Sequence, residues 1–503
     1  MQKIISHFLI FAALILFGFS GNSQTTSAGK SFYVDYANWC TLGYPSIYIN
    51  CGNNSTFNTG NQLTMEVWAR AYNFGENRKI MGKVSSSLNN GYVLGFENLN
   101  IYSEIFNPSV QVIPHGSTGS MPVDSAWVHL ATTFDANGQM VNYLNGVNVG
   151  EITIFPQTPI ETNTEPFIIG LAPWDLLSYE FVGNLDEVRI WNVARTEQQI
   201  KNDMFHTLSG NETGLVANYN FNSDNDSIVH DNAPNILNGV LKNSTSNCFS
   251  WATSYAPVGN SIMRNKTDIN ASWYGKIPDT YSYAVTTNGL SLITSIAAKE
   301  FWKYVVFGHN NGIGKTNADA PISAPADFER LSRVWYVNKG GTFNSQVVFN
   351  ITEAAGGGAA LTSGGADSLY TLLVRDDSTG IFQALYSATT VMGNTVLFDK
   401  VDLQDKYYTL GYSSQKLAPT ASIEENRNCI NPKIYPNPAY NYLSIELIQK
   451  SEITIFELSG KIVFSTLLEK GLNQIPISNL AKGIYFLKTN TNSNVNTQKI
   501  IIN

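Results

Sequence analysis

Short runs that alternate between apolar and polar residues recur along the chain, separated by residues that favour turns. The runs 63–69 and 127–134 alternate at period two, which predicts half-buried β-strands. Asn145 and Gly146 follow the next run and favour the tight turn of a β-hairpin. Strands at this spacing predict a β-sandwich over residues 31–256.

One short helix is predicted within this region, beginning after Arg195. Thr196 has a side chain suited to the N-cap position, and Gln199 follows three residues later. This spacing is that of a capping box, in which each residue satisfies a backbone N–H group of the other.

The middle of the chain shows the strand pattern again. The runs 300–307 and 407–411 predict an early strand and the closing strand of a second β-sandwich module over residues 257–416. Residues 417–431 contain few large apolar side chains, so this stretch is predicted to be a linker.

The last segment, residues 432–503, is predicted to form a small C-terminal β-sandwich. Ile453 and Ile455 alternate with their neighbours, as do Ile462 and Phe464, which is the pattern of half-buried strands. The segment shows no cluster of titratable side chains, so no chemistry is expected there.

Residues 1–23 have the features of a secretory signal peptide. Lys3 supplies a positive charge, and the apolar stretch 8–19 is shorter than the roughly 20 residues of a membrane-spanning helix. No later stretch is apolar enough to cross a bilayer. The mature chain is therefore predicted to have no integral membrane segment.

Composition and charge narrow the class of protein. Of the 503 residues, 14% are charged and 12% are aromatic, which is typical of a secreted all-β protein, and the length suggests about three domains. The formal net charge of −8 argues against nucleic-acid binding, because that function needs a basic patch.

The cysteines leave the redox state open. Export crosses an oxidising compartment, where disulfides are permitted. Four cysteines allow three complete pairings, and closeness in sequence favours Cys40 with Cys51 over pairings that involve Cys248 or Cys429. A buried free thiol at Cys51 is the alternative.

The C-terminal segment contains a series of short blocks in a fixed order. Their most recognisable residues are Tyr435, Pro436, Asn437, Pro438, Gly460, Lys461, Gly483 and Tyr485. In this order they resemble the type A C-terminal sorting domain of the type IX secretion system of Bacteroidota. The resemblance implies that this machinery exports the chain across the outer membrane, to the cell surface or the extracellular space.

The large N-terminal region also resembles a known family. The stretches that carry the resemblance are LTMEVWA (63–69), WVHLATTFDANGQMVNYLNGVNVG (127–150), FVGNLDEVRIWNVARTEQQI (181–200) and GLVANYNFN (214–222). They are similar to the bacterial laminin G-like, concanavalin A-like jelly roll. Such domains bind sugars or proteins, often with calcium, or act as spacers, and a fold alone does not fix the function.

A structural calcium ion is one property that the family resemblance raises. Relatives often carry Asp-Tyr-Val in the opening strand, whereas this chain has Ile47-Tyr48-Ile49. Calcium takes six to eight oxygen ligands, so the missing acid weakens the site. Asp186 and Glu187 remain the candidate ligands. The alternative is that these acids face solvent or form an ion pair with nearby Arg189.

Trp174 is the candidate ligand-binding residue. It follows Gly170 in a polar loop that contains proline, where an exposed indole ring can stack on the apolar face of a sugar. The alternative is a buried ring that anchors the loop. Three other tryptophans lie in predicted strands and are expected in the core: Trp68, Trp127 and Trp191.

Catalytic motifs are not recognised in the sequence. Jelly-roll glycosidases use a Glu-x-Asp-x-Glu strand whose alternate carboxylates share one cleft. The nearest match is Glu161-Thr162-Asn163-Thr164-Glu165, in which Asn163 replaces the central acid. The histidines show no metal-ligand spacing. The chain is therefore expected not to be an enzyme, with a glycoside hydrolase-like enzyme as the alternative.

The middle module resembles an uncharacterised β-sandwich module of large Bacteroidota surface proteins, through stretches such as 300–307 and 333–337. That family carries no chemistry to transfer. The sequence as a whole predicts an exported binding or adhesion protein that recognises a glycan or a surface protein through the jelly roll. A purely structural surface spacer is the remaining alternative.

Overall fold

The computed structural model describes residues 28–35, 46–108, 110–111, 121, 125–153, 159–175, 179–224, 227–243, 249–274, 283–294, 300–417, 433–447, 450–457, 462–490 and 495–502. The chain divides into two compact units, residues 1–417 and 418–503. Residues 418–432, which include the predicted linker apart from residue 417, and the predicted signal peptide lie outside the described residues.

The first part of the larger unit contains β-strands and one helix. The strands are β1 Lys30–Val34, β2 Tyr48–Asn50, β3 Leu63–Ala71, β4 Arg78–Val84, β5 Gly91–Glu97, β6 Asn100–Asn107, β7 Val110–Gln111, β8 Val128–Phe134, β9 Gln139–Leu144, β10 Val147–Thr153, β11 Ile168–Ile169, β12 Gly183–Trp191, β13 Leu215–Tyr219, β14 Ile228–Val229, β15 Gly239–Lys242 and β16 Phe249–Thr253. The helix is α1, Glu197–Asp203.

These strands form two antiparallel sheets that pack face to face. Sheet A has the order β10-β9-β8-β3-β12-β1-β16, with β13 beside β12, and sheet B has the order β14-β15-β2-β11-β4-β5-β6-β7. Alternate side chains of both sheets point inward into one core, among them Phe32, Val67, Leu94 and Ile190. The predicted sandwich is therefore confirmed.

Two local predictions in this region are also confirmed. Thr196 caps α1 and exchanges hydrogen bonds with Gln199 in a capping box. Strands β9 and β10 form a hairpin whose turn residues, Asn145 and Gly146, both adopt positive φ angles, of 52° and 75°. That backbone conformation is the reason why Asn-Gly is favoured at tight hairpin turns.

The second part of the larger unit contains two further sheets. Its strands are β17 Thr267–Trp273, β18 Tyr283–Thr287, β19 Leu290–Thr294, β20 Tyr304–His309, β21 Lys315–Thr316, β22 Glu329–Leu331, β23 Trp335–Gly340, β24 Ser345–Asn350, β25 Tyr370–Arg375, β26 Gln383–Ser387, β27 Thr390–Met392, β28 Thr395–Val401 and β29 Tyr407–Tyr412, with the helix α2 at Ile351–Ala354. The sheet orders are β17-β20-β23-β29-β22-β21, where β25 joins β29 to β26, and β18-β19-β24-β28-β27. The two sheets share a second core.

A cluster of aromatic rings packs the jelly roll against this middle module. The rings of Trp68 and Trp273 meet edge to face at 5.5 Å between centroids. Trp273 Nε1 donates to the carbonyl of Trp127 at 2.9 Å, and Trp68 Nε1 donates to the carbonyl of Met204 at 2.7 Å. The two parts therefore pack as one unit, and the predicted domain border at residues 256 and 257 lies inside it.

The smaller unit is the C-terminal β-sandwich. Its strands are β30 Lys433–Tyr435, β31 Tyr442–Leu447, β32 Ser451–Glu457, β33 Ile462–Leu468, β34 Gly471–Pro476, β35 Gly483–Asn490 and β36 Val495–Ile502. They form the sheets β30-β31-β34 and β33-β32-β35-β36. Both sheets contribute to one apolar core, which includes Leu443, Ile453 and Leu487. Within the described residues of the whole chain, no helix is long and apolar enough to span a membrane.

Candidate functional site

The outer face of sheet B carries aromatic and charged side chains beside the loop of Trp174. Strand β6 alternates, so that Ile101 and Ile105 enter the core while Tyr102, Glu104 and Phe106 lie on the opposite face. The sequence therefore places a row of two rings and one carboxylate on a surface that the jelly roll does not use for its own core.

Trp174 packs against this row. Its ring lies 5.8 Å from that of Phe106, edge to face, and 6.5 Å from the ring of Tyr179. Trp174 is half-buried, whereas Tyr179 is 37% exposed. The structure thus combines the two interpretations of Trp174, because the ring anchors its loop on Phe106 and still contributes to the surface.

Lys79 lies beneath the rings and fixes their positions. Its Nζ is 3.6 Å from the ring centroid of Tyr102 and 5.4 Å from that of Tyr179, and it donates to Asn77 Oδ1 at 2.5 Å. A cation over a ring face is attracted to the electrons of that ring. Burial lowers the pKa of Lys79 to about 8, although the charges of Glu97 and Glu104 oppose the shift.

Glu104 completes the support from the other side. The Tyr102 hydroxyl donates a short hydrogen bond to the Glu104 carboxylate. Burial raises the pKa of Glu104 and, together with that hydrogen bond, the pKa of Tyr102. Tyr102 is thereby held as a neutral phenol with a fixed ring plane.

We call Tyr102, Trp174 and Tyr179 the aromatic patch. Its three rings are partly exposed and are held from below by buried side chains. Rings that are already ordered lose little conformational entropy when a ligand stacks on them. The arrangement is suited to binding a flat apolar surface flanked by hydroxyl groups.

The sequence analysis identified Trp174 but not its neighbours. Tyr102 and Glu104 carried a weak signal, since they lie two residues apart between the apolar residues Ile101 and Ile105 of one strand. Lys79 and Tyr179 carried none, because Lys79 reaches the ring of Tyr102 only across β5 and Tyr179 meets the ring of Trp174 only in the folded chain.

Asp186 and Glu187 lie on the outer face of sheet A and do not reach the aromatic patch. The pairing of β12 with β3 slips between Asp186 and Arg189, which is a β-bulge, and Glu187 adopts a φ of +50°. The extra residue places Glu187 on the same face as Asp186 and Arg189. All three are buried, so the expectation that the acids face solvent is wrong.

The predicted ion pair is present at this bulge. Glu187 Oε2 accepts a hydrogen bond of 2.8 Å from Arg189 Nη2. Asp186 accepts from the Ser254 hydroxyl at 2.6 Å and from the backbone N–H of Glu187 at 2.7 Å. Burial, followed by the charge of Glu187, raises the pKa of Asp186 well above its ordinary value.

These residues do not fit a calcium site. Glu187 Oε1 is buried without a hydrogen-bond partner among the described residues, but its other oxygen is bound to the guanidinium of Arg189. The positive charge of the Arg189 guanidinium beside Glu187 would repel a calcium ion. Across the described residues, no group of three or more His, Cys, Asp or Glu side chains is arranged to hold a metal, whereas calcium needs six to eight oxygens.

The remaining residues considered in the sequence analysis are the nearest match to a catalytic strand and the cysteines. Residues 161–165, the nearest match to a catalytic strand, form no strand, and Glu161 is exposed. Cys51 is a free buried cysteine, which agrees with the free-thiol alternative, and the structure shows no Cys40–Cys51 disulfide within the described residues. Burial raises the pKa of Cys51 to about 12. Cys40, Cys248 and Cys429 lie outside the described residues.

The sorting residues gather around the last strand of the small unit. Asn437 Oδ1 accepts from the backbone N–H of Ile501, and its Nδ2 donates to the carbonyl of Lys499, both at 2.9 Å. The first and last sequence blocks therefore meet in space. Tyr435, Pro436 and Pro438 are exposed, Gly483 opens β35, and the Tyr485 hydroxyl donates to the carbonyl of Ala481. Gly460 and Lys461 lie outside the described residues.

Comparison with protein families agrees with this layout. Residues 43–201 match the concanavalin A-like lectin/glucanases superfamily, residues 433–503 match the secretion system C-terminal sorting domain, and residues 286–407 match a domain of unknown function. The comparison with curated proteins found no match.

Solved structures show more distant likenesses. A candidate carbohydrate-binding protein from Bacteroides ovatus is 22% identical with a TM-score of 0.35; the match covers 46% of this chain and 61% of that protein. A heptameric pentraxin from Limulus polyphemus is 14% identical with a TM-score of 0.27, over 35% and 82% of the two chains. A domain of an arabinanase from Geobacillus stearothermophilus, solved with arabinotriose, is 26% identical with a TM-score of 0.23, over 28% and 66%.

Proposed function

We propose that this protein, which joins a concanavalin A-like laminin G domain to a type IX sorting domain, binds carbohydrate at the aromatic patch. The sorting domain directs the chain through the type IX secretion system to the cell surface or the extracellular space. A protein delivered there meets polysaccharides of other cells and of the surroundings. Carbohydrate is therefore a ligand class that is present at this location and that the aromatic patch is suited to bind.

The observation that carries the proposal is the set of three rings held by buried side chains. Tyr102, Trp174 and Tyr179 present ring surface outward, while Lys79 and Glu104 support the two tyrosines and Phe106 supports Trp174. Sugars have apolar C–H faces that stack on aromatic rings and hydroxyl edges that form hydrogen bonds to polar side chains. Tyr179, which is 37% exposed, has a hydroxyl that can form hydrogen bonds to such edges.

The proposed site uses no catalytic carboxylate pair and no metal. Glu104 is buried and already accepts the hydrogen bond of Tyr102, so its role is to position that ring. The patch is accordingly proposed to hold a glycan without cleaving it.

Two single substitutions test the site. Tyr179→Ala removes the most exposed ring of the patch, and loss of an aromatic anchor from a binding site costs about 2 kcal/mol, or roughly thirtyfold in affinity. Tyr386→Ala is the matched control, because Tyr386 is 38% exposed and lies in the middle module. Affinity for a glycan selected on an array is measured by titration calorimetry.

Trp174→Ala is expected to lower affinity by a similar factor and to reduce the melting temperature as well, because Trp174 also packs on Phe106. Unchanged affinity in Tyr179→Ala, with a bound glycan in hand, would contradict the patch as the site. Binding of a surface protein instead, or of nothing, would favour the adhesion or spacer alternatives.

A further inference from the structure

A pocket lies where the outer face of sheet A meets the middle module, whereas the aromatic patch lies on the outer face of sheet B. Its volume is about 240 Å³, just below the roughly 300–1,000 Å³ of pockets for drug-sized ligands. Aromatic side chains from both parts of the larger unit form its walls. They include Trp127 of the jelly roll, Tyr255 of the connection and Phe301 of the middle module.

The floor of the pocket is a row of polar side chains across three adjacent strands. Tyr33 of β1 lies opposite Asn184 of β12, which lies opposite Arg70 of β3. Their neighbours Phe32 and Leu185 point into the core, so alternation brings the three polar side chains to the outer face. The row is therefore built into the strand register.

Arg70 is the chemically distinctive group of this row. Its Cζ lies 3.4 Å from the ring centroid of Phe301. Its Nε donates to the Ser125 carbonyl and its Nη1 to Asn184 Oδ1, both at 2.9 Å. Asn184 is fixed in turn by donating to the Ser31 hydroxyl at 2.9 Å. The guanidinium is thereby rigidly oriented beside the pocket.

The charge of Arg70 is not neutralised by an acid in the described part of the chain. Its hydrogen-bond and stacking partners among the described residues are a carbonyl, an amide and a ring, and no described carboxylate forms an ion pair with it. Burial lowers the pKa of Arg70 to about 10, which leaves the group cationic at neutral pH. A half-buried cation with neutral partners is a receptor for an anion, and a guanidinium fits a carboxylate in particular.

We propose that this pocket binds a carboxylated sugar, a hexuronate, with the carboxylate on Arg70 and the ring against the aromatic walls. The volume suits one ring. Tyr33, whose hydroxyl donates to Asp35 Oδ1 at 3.3 Å, lines the pocket and offers its ring to the sugar, while Asn184 holds Arg70 in place. The site is independent of the aromatic patch and extends the proposed function to acidic polysaccharides.

The experiment compares charged and neutral forms of one sugar on the full chain. Galacturonate and glucuronate are titrated against galactose and glucose, and binding is followed by ligand-observed NMR and by the fluorescence of Trp127, which lines the pocket. We expect a dissociation constant on the order of 1 mM for the uronates, as befits a ligand of one ring. The neutral sugars should bind at least about tenfold more weakly, because they lack the charged hydrogen bond.

Variants assign the binding to Arg70. Arg70→Gln should weaken uronate binding roughly 10- to 100-fold, because a hydrogen bond to a charged group is lost. Arg375→Gln is the control, since Arg375 also stacks on a ring, that of Phe382, but is paired with Asp319. If Arg70→Gln fails to fold, Thr253→Tyr fills the pocket from its wall without removing the charge, and should also abolish uronate binding.

The results separate the two sites. Tyr179→Ala should leave uronate binding unchanged, and Arg70→Gln should leave binding at the aromatic patch unchanged. Equal affinity for galactose and galacturonate would overturn the proposal, as would full uronate binding in a folded Arg70→Gln or Thr253→Tyr variant. Binding of acidic peptides but not of uronates would also overturn it.

Discussion

Arg189 and the buried groups bound to it contribute to the stability of the jelly roll. Arg189 is fully buried. Its Nη2 donates to Glu187 Oε2 at 2.8 Å and to the His206 carbonyl at 2.7 Å, and its Nη1 donates to the Asp203 carbonyl at 2.9 Å. The guanidinium thus connects the bulge of β12 to the end of α1 and the segment after it.

Arg189→Met keeps an apolar stem of similar length but removes every one of these bonds. It leaves the Glu187 carboxylate, which is 1% exposed, without its cation. Breaking a buried ion pair by removing one partner costs about 3–5 kcal/mol. We therefore expect the free energy of unfolding of the larger unit to fall by about that amount. Replacing Glu187 as well, in Arg189→Met/Glu187→Gln, should restore part of the loss, because a neutral amide then replaces the buried carboxylate of Glu187.

Urea unfolding followed by tryptophan fluorescence measures the change. The matched control is Lys201→Ala on α1, where the ion pair with Glu197 is 40% and 41% exposed and is worth only about 0.3–0.5 kcal/mol. A loss of less than about 1 kcal/mol in Arg189→Met, within the range of ordinary substitutions, would refute the reasoning. A double variant less stable than Arg189→Met would show that lost packing, rather than an unpaired charge, causes the loss of stability.

Two further predictions concern export and metal. Deletion of residues 430–503 should leave the protein inside the cell, because the sorting domain is lost; normal appearance of the truncated chain in the medium or on the surface, followed by fractionation, would contradict this. Calcium at millimolar concentration should leave the melting temperature unchanged relative to chelator, because Asp186 and Glu187 are committed to Ser254 and Arg189; an ion present at about 100 times its dissociation constant would add roughly 2.7 kcal/mol, and a stabilisation of that size would contradict the prediction.

Elements governed by local geometry could be predicted from the sequence. The capping box of α1 depends on Thr196 and Gln199 alone, and the β9–β10 turn depends on the positive φ angles that Asn145 and Gly146 tolerate. Strands with regular alternation were also found, although Tyr304–His309 begins four residues later than predicted. In each case the signal lies within a few residues.

The burial of the acids could not be predicted in the same way. Period-two reasoning assigns neighbouring residues to opposite faces, whereas the bulge at Glu187 places it beside Asp186 on one face. No residue type marks that bulge, since Glu187 occupies a positive φ that usually favours glycine. The ion pair with Arg189 could therefore be anticipated from the sequence, but its burial could not.

Packing between residues far apart in the sequence could not be predicted either. Trp68 and Trp127 were expected in the sandwich core and are buried, yet they pack on the outer face against the middle module. The hydrogen bond from Trp273 to Trp127 spans 146 residues of chain. The same juxtaposition creates the Arg70 pocket, so neither the contact nor the pocket is visible in any local pattern.

Carbohydrate binding at the aromatic patch is the central claim, and a glycan array probed with the purified full chain tests it most directly. Wild-type protein, Tyr179→Ala and Tyr386→Ala are applied at equal concentration after each is shown to melt cooperatively. The account predicts that wild type and Tyr386→Ala bind the same neutral glycans and that Tyr179→Ala loses them. Identical glycan profiles for all three proteins, or no bound glycan for folded wild type, would contradict it.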